Sequence, residues 1–190
     1  MRSMPALLVF DGFADWEAAY AIAELRRSGQ HQVLTLGLTG EPVVSMGGLT
    51  VLPDEDIAEV DPEQIRLLIL PGGDRWETAP PDEQLTALIT RLLRARTPVA
   101  AICGATVALA RGGFLEGRKH TSNGADYLAA QAPGYAGADG YVQALAVRDR
   151  GLITASGLGA LEFAREIFEE LGVFTPEERA EWYRLFKEGR

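Results

Sequence analysis

Pro98-Val-Ala-Ala-Ile-Cys103-Gly-Ala-Thr-Val-Ala-Leu-Ala-Arg-Gly-Gly113 sets the terms on which the rest of the 190-residue chain is read. Thr97-Pro98 breaks the preceding helix, Val99 to Ile102 is an apolar run suited to a buried strand, and Gly104-Ala105 supplies small residues where a sharp strand-to-helix turn needs them. The chain's only cysteine, Cys103, falls at that turn. On such a nucleophile elbow the sulfur stands at a helix N-terminus. The partial positive charge and free N–H groups there favour thiolate over thiol and lower the pKa from its usual value of about 8.5. The competing reading is a small apolar side chain buried at a strand end, a common fate for a free cysteine.

On the N-terminal side, Ile65 to Leu70 is another buried strand, broken at Pro71-Gly72-Gly73-Asp74. In an open α/β sheet, that strand end is where ligands bind. Pro80-Pro81 is expected to start a helix with Leu85, Leu88, Ile89 and Leu92 on one face, leading into Cys103. Ala6 to Phe10 predicts strand one, and Asp11-Gly12 ends it. The spacing of Trp16, Ala19, Tyr20 and Ala23 predicts a helix from Asp15 to Arg26-Arg27-Ser28-Gly29. Gln32 to Leu36 predicts strand two, and Pro42 to Val51 a hairpin turning at Gly47-Gly48 and decorating a sheet edge.

On the C-terminal side, Gly117 to Ser122 reads as a short strand and Ala125 to Gln131 as a short helix. Val142 to Arg148 and Gly151 to Ala155 read as paired strands. Ala160, Phe163, Ala164, Ile167 and Leu171 form the apolar face of a long helix. Thr175-Pro176-Glu-Glu178 starts a last helix, whose Trp182, Tyr183 and Phe186 are expected to dock onto the domain or onto another subunit. Strands alternating with helices make this an α/β chain. One domain over residues 1–190 is expected, with 175–190 as its C-terminal helix.

The hydrophobic share of 47% and charged share of 24% are ordinary globular values, and no apolar run is long enough to span a bilayer. Met1-Arg-Ser-Met-Pro leads straight into a strand rather than into a cleavable signal, and one cysteine fits a reducing compartment, so a cytoplasmic location is expected. With a formal net charge of -9 and no long Lys/Arg cluster, nucleic acid and anionic membranes are poor candidate partners. One Cys and two separated His give no metal-ligand spacing. Gly72-Gly73 lacks the third spaced glycine of a dinucleotide fingerprint, so neither metal nor other cofactor is expected.

Leu70-Pro-Gly-Gly73, then Ala100-Ala-Ile-Cys103-Gly-Ala, then Ile153-Thr-Ala-Ser-Gly157 ahead of a long helix together resemble the ThiJ/PfpI family of the class I glutamine amidotransferase-like superfamily. The resemblance runs from Ala6 to about Val173. It implies a flavodoxin-like three-layer sandwich: a mostly parallel sheet, helices on both faces and a cysteine on an elbow. It also implies intracellular peptidase or amidase, glyoxal- or isonitrile-hydrating, or redox-responsive activity, a small-molecule substrate, and commonly a homodimer. By the same resemblance Cys103 is the nucleophile, Glu17 the acid beside the sulfur, and the backbone N–H groups of Gly73 and Gly104 the oxyanion donors.

Read alone, Glu17 is a solvated or salt-bridged helix residue, and Asp15 is a competing acid two residues earlier. Trp16 and Trp76 either wall a pocket or pack in the core. Where many members of the family carry a histidine as general base, this chain has Asn123, which orients but takes no proton near neutral pH. His120 replaces that base only if the chain bends, because its odd offset on a strand points it to the opposite face. His31 is a poorer candidate. Three readings follow: a cysteine hydrolase or lyase-like enzyme acting on a small amide or reactive carbonyl, a stress-responsive protein whose Cys103 oxidises beside Glu17, and a binding protein with an inert cysteine.

Overall fold

The computed structural model describes residues 3–80 and 82–190. In chain order the elements begin with β1 (Met4–Val9), α1 (Asp15–Arg27), β2 (Leu34–Gly37), β3 (Val43–Val44), β4 (Thr50–Val51) and β5 (Glu55–Asp56). A 3-10 turn, Pro62–Gln64, leads to β6 (Ile65–Leu70), the single turn α2 (Arg75–Thr78), α3 (Glu83–Arg94), β7 (Val99–Ile102), α4 (Ala105–Arg111) and α5 (Ala125–Gln131). After a second 3-10 turn, Ala138–Gly140, come β8 (Ala146–Asp149), β9 (Leu152–Ala155), α6 (Ala160–Leu171) and α7 (Pro176–Glu188).

Seven strands form one sheet in the order β5-β2-β1-β6-β7-β9-β8. All neighbours pair in parallel except β8 with β9. The parallel strands β2-β1-β6-β7-β9 follow the flavodoxin-like order, and the direction of winding reverses between β1 and β6. Right-handed crossovers therefore put α1, which leads from β1 to β2, on one face and α3, which leads from β6 to β7, on the other. Both faces being covered explains the unbroken apolar strands: β7 and β9 are buried at every position, and so are Leu67 to Leu70 of β6. The reversal opens a crevice at the C-terminal ends of β1 and β6, beside the end of β7.

Several elements differ from the sequence expectation. The segment 117–122 forms no strand: its neighbours are turns, and only His120 makes a bridge, to Tyr141. β5, too short to give a periodic signal, takes the sheet edge. The β3–β4 hairpin is a separate two-stranded sheet, pinned to the loop between β1 and α1. There Gly12 N donates to Val44 O at 2.8 Å and Met46 N to Phe13 O at 2.9 Å, and the Asp11 carboxylate accepts from Val44 N at 2.8 Å. Pro81 lies outside the described residues, as do Met1 and Arg2 of the expected leader-free start. The side chain of Asp82 caps α3 by accepting from Leu85 N at 3.0 Å.

α7 begins with the expected capping box, in which Thr175 and Glu178 bond each other's backbone N–H groups. It docks on the chain itself: Trp182 is buried with its ring 5.0 Å from that of Phe168 and 6.2 Å from that of Tyr20. Buried Glu162 of α6 adds a polar clasp, accepting from Tyr183 Oη at 2.6 Å and Lys187 Nζ at 2.8 Å. Burial pushes the Glu162 carboxyl up, but Lys187 and Tyr183 outweigh it and hold the group below its ordinary value. The clasp is thus complete above the usual carboxylate range and is lost as pH falls through the lowered pKa. Trp182→Ala, which empties the space between α7 and α6, is expected to lower stability by about 3 kcal/mol in urea unfolding. A loss under about 1 kcal/mol would mean that the ring is not part of the core.

Candidate active site

Cys103 follows the last residue of β7, and its backbone takes the left-handed conformation with φ 59°. That conformation costs an L-residue roughly 1–2 kcal/mol. It is held from both sides: Cys103 N donates to Ala155 O at 2.9 Å, and Cys103 O accepts from Thr106 N at 3.1 Å and from Thr106 Oγ1 at 2.6 Å. The strand therefore turns sharply into α4 with the sulfur at the turn.

Glu17, on the first turns of α1, is not a surface residue: it is 2% exposed. Its Oε2 accepts from Gly72 N at 2.5 Å, and the carboxyl lies against the Cys103 side chain. Two glycines make this approach possible. A Cβ on Gly72 would lie 2.5 Å from Glu17 Oε2 and 2.8 Å from Cys103 Cβ, and one on Gly157 would lie 3.0 Å from Cys103 Sγ. Burial raises the Glu17 pKa, only partly offset by the Gly72 N–H and Cys103. The thiol is also raised, first by burial and then by the Glu17 charge, against lowering by the Asn123 amide and the Gly104 N–H. This corrects the expectation of a thiol activated by a helix end alone. Two anions in contact, one buried and one half-buried, are unfavourable, so the pair retains one proton between them.

Asn123 reaches the sulfur from the other side, with Nδ2 donating to Cys103 Sγ at 3.3 Å and Oδ1 accepting from Gly157 N at 2.9 Å. A strap of hydroxyls places it there. Thr121 N donates to Thr154 Oγ1 at 2.9 Å, Thr121 Oγ1 donates to Ala144 O at 2.8 Å, and the Ser122 and Thr106 hydroxyls meet at 2.6 Å. Beyond Asn123, Tyr127 Oη donates to Glu77 Oε1 at 2.7 Å. Burial and the Glu77 carboxylate push that phenol up, while the Asn123 side chain opposes the shift. Tyr127 and Glu77 lie fifty residues apart on α5 and α2, and no spacing in the sequence joins them to Cys103.

His120 is not brought to the sulfur. It is buried between the Tyr135 and Tyr141 rings, with Nδ1 bonded to Arg118 O at 2.8 Å and Nε2 bonded to the Tyr135 hydroxyl. Since Arg118 O only accepts, Nδ1 carries the proton and Nε2 accepts from Tyr135. Burial lowers the His120 pKa, which favours this neutral ring. With no strand at 117–122, strand alternation does not decide where the ring points; the bond to Arg118 O and the Tyr135 and Tyr141 rings hold it away from the sulfur. His31 sits at the opposite end of β1, near Ser3 and Met4.

Asp15 is turned outward to the hairpin, where the Ser45 hydroxyl and the Gly47 N–H hold its carboxyl below the ordinary value. Trp16 is 51% exposed. Trp76 is a core residue: its ring meets Phe10 at 5.2 Å, and its Nε1 donates to Pro71 O at 2.8 Å, bracing the loop that carries Gly72 and Gly73. The Gly104 N–H faces the sulfur, and Gly73 stands beside it, its carbonyl oxygen 3.3 Å from where a Gly104 Cβ would lie. Among the described residues no group of three or more His, Cys, Asp or Glu could hold a metal ion, and no helix is long and apolar enough to cross a membrane.

The DJ-1/PfpI family model matches residues 5–170. A Bacillus subtilis protein named as an uncharacterized protease, YoaZ, is 40% identical over 189 residues, covering 95% of this chain and 89% of that one. A Thermococcus kodakarensis protein named a deglycase is 34% identical over 116 residues, 61% of this chain and 69% of that one. The crystal structure of a ThiJ/PfpI family protein from Bacillus anthracis superposes with a TM-score of 0.91 at 39% identity, covering 100% of this chain and 92% of that one.

Asn123→Ala removes a donor from the sulfur and is expected to raise the midpoint of iodoacetamide alkylation by about one pH unit. An unchanged midpoint would show that the contact does not act on the thiolate. For Glu17, the raised pKa means that its contribution to stability is full below the unfolded value near 4.5 and is lost as pH rises through the folded value. The neutral Glu17→Gln should therefore gain melting temperature relative to the parent as pH rises above about 4.5. Parallel melting curves over that range would contradict the burial argument.

Proposed function

The chain belongs to the DJ-1/PfpI family, and on that premise we propose that it is a cysteine-dependent, hydrolase- or lyase-like enzyme that converts a small reactive carbonyl compound. The observation that carries this reading is the buried contact of the Cys103 sulfur with the Glu17 carboxyl, whose pKa is raised. With a 2-oxoaldehyde, the sulfur adds to the aldehyde carbon as its S–H proton passes to the new alkoxide, giving a hemithioacetal. The Glu17 carboxylate then takes the proton from that carbon and returns it to the neighbouring carbonyl carbon, while the hydroxyl proton of the first carbon passes to the neighbouring oxygen, giving a 2-hydroxy thioester. Water cleaves the thioester, releasing a 2-hydroxy acid and restoring the thiol. The net change is addition of one water, with no external oxidant or reductant. The N–H groups of Gly73 and Gly104 serve the oxyanion, and Asn123 orients the substrate and the sulfur.

Peptide hydrolysis fits less well, because the departing amine needs a proton donor and the residue on the far side of the sulfur is an amide. Relatives named as a protease and as a deglycase bracket the carbonyl-directed reading. The same donors favour a second reading, in which Cys103 is oxidised by peroxide and Asn123 and Glu17 hold the sulfur-bound oxygens. A homodimer is part of the proposal, since Trp16, Val44, Met46 and Leu49 leave an apolar face exposed on α1 and the hairpin.

The test is production of 2-hydroxy acid from glyoxal and methylglyoxal. Cys103→Ala is expected to abolish turnover and Glu17→Gln to lower kcat by about a hundredfold. Turnover surviving in Cys103→Ala would sink the nucleophile assignment. Selective sulfur oxidation in the parent without any turnover would favour the second reading.

A further inference from the structure

At the end of the sheet opposite Cys103, where β7 and β9 begin, a cleft of about 510 Å3 opens beside the last turn of α3 and the turn between β8 and β9. Four arginines line it: Arg94, Arg96, Arg118 and Arg150. That is unusual company in a chain with net charge -9. The acid in the lining, Glu170, is already paired with Arg148 at 3.2 Å. Arg94 and Arg96 have no ion pair or side-chain hydrogen bond among the described residues.

Arg118 and Arg150 are held in place by the backbone. Arg118 Nη1 donates to Arg150 O at 2.9 Å, and Arg150 donates to Gly117 O and, at 3.3 Å, to the Asp149 carboxylate. Each guanidinium has five N–H donors, so these bonds leave others to spare while removing the ordering cost a ligand would otherwise meet. A helix C-terminus attracts cations, which accounts for Arg94 and Arg96 at the end of α3. It does not account for Arg118 and Arg150, which come from separate segments and line the same cleft. Arg66 and Arg91 lie beside Arg96 together with Glu63, and Glu116 adjoins Arg94 and Arg118.

We propose that this cleft binds a small anion bearing two or more linked phosphate groups, either as free pyrophosphate or as the phosphate chain of a nucleotide. Guanidinium forks match phosphate oxygens in pairs, and the cleft has the volume of a small-ligand site. The site is separate from the Cys103 chemistry, which begins at the other end of the same strands, so either assignment can fail without the other.

Calorimetric titration of the full chain at low ionic strength with pyrophosphate, orthophosphate and ATP tests it. Pyrophosphate is expected to bind one per chain with Kd below about 1 mM, orthophosphate about tenfold more weakly, and added salt to weaken both. ATP tighter than pyrophosphate identifies a nucleotide as the source, and equal affinity identifies the phosphate chain alone. The Arg94→Gln, Arg96→Gln double variant should lose about tenfold or more in affinity while keeping its melting temperature and Cys103 alkylation rate, because neither side chain bonds within the fold. Arg150→Gln provides a second, independent loss. No saturable binding of any of the three anions, or binding unchanged in the double variant, overturns the proposal.

Discussion

A buried carboxyl group and a half-buried thiol meet at the C-terminal ends of β1, β6 and β7, and much of the molecule serves to keep them there. Neither group would be placed so for stability, because burial raises both pKa values and the charge on one opposes the charge on the other. The arrangement holds because rigid elements dictate it: α1 brings Glu17, the loop after β6 offers the Gly72 N–H, and the left-handed turn after β7 fixes Cys103. Side chains are missing where they would intrude, at Gly72 and Gly157.

Around that contact the structure resolves what a missing histidine means. Asn123 stands against the sulfur, and its orientation is set by Gly157 on one side and by the Thr121–Ser122 strap beneath. An amide there donates a hydrogen bond but carries no proton through a reaction. The carboxyl in contact with the sulfur is that of Glu17, on the other side. His120, three positions earlier, is buried in an aromatic pocket with Tyr135 and Tyr141, and its ring supports the 135–141 segment. The two side chains have exchanged no role; separate contacts hold them apart, the tyrosine rings and Arg118 O for His120, the sulfur and Gly157 N for Asn123.

Charge is distributed unevenly along the sheet axis. Glu17 and the Glu77 that holds Tyr127 lie near the sulfur, with Arg75 and Arg111 close to Trp76, while four arginines collect around the starts of β7 and β9 in company with Glu170 and Asp149. The two ends are joined by strands only four residues long in β7 and β9, yet they share no side chain.

The alternation of strands and helices, the turn at Cys103, the glycine-rich break after β6 and the capping box of α7 are legible in the residues. Each of these is a local preference: apolar runs, small residues at a bend, and a hydroxyl three positions before a glutamate. The residues also mark Asn123 as the departure from the family pattern. Packing of distant segments buries Glu17 while Asp15 holds a hairpin, seats the hairpin over the β1–α1 loop rather than on a sheet edge, and brings Glu77, Tyr127 and Gly157 around the sulfur. The same holds for the four arginines, scattered between positions 94 and 150 in the chain and gathered only where strands start side by side. These facts depend on which segments the crossovers bring together, and that information is carried by contacts between residues tens of positions apart, which no periodicity records.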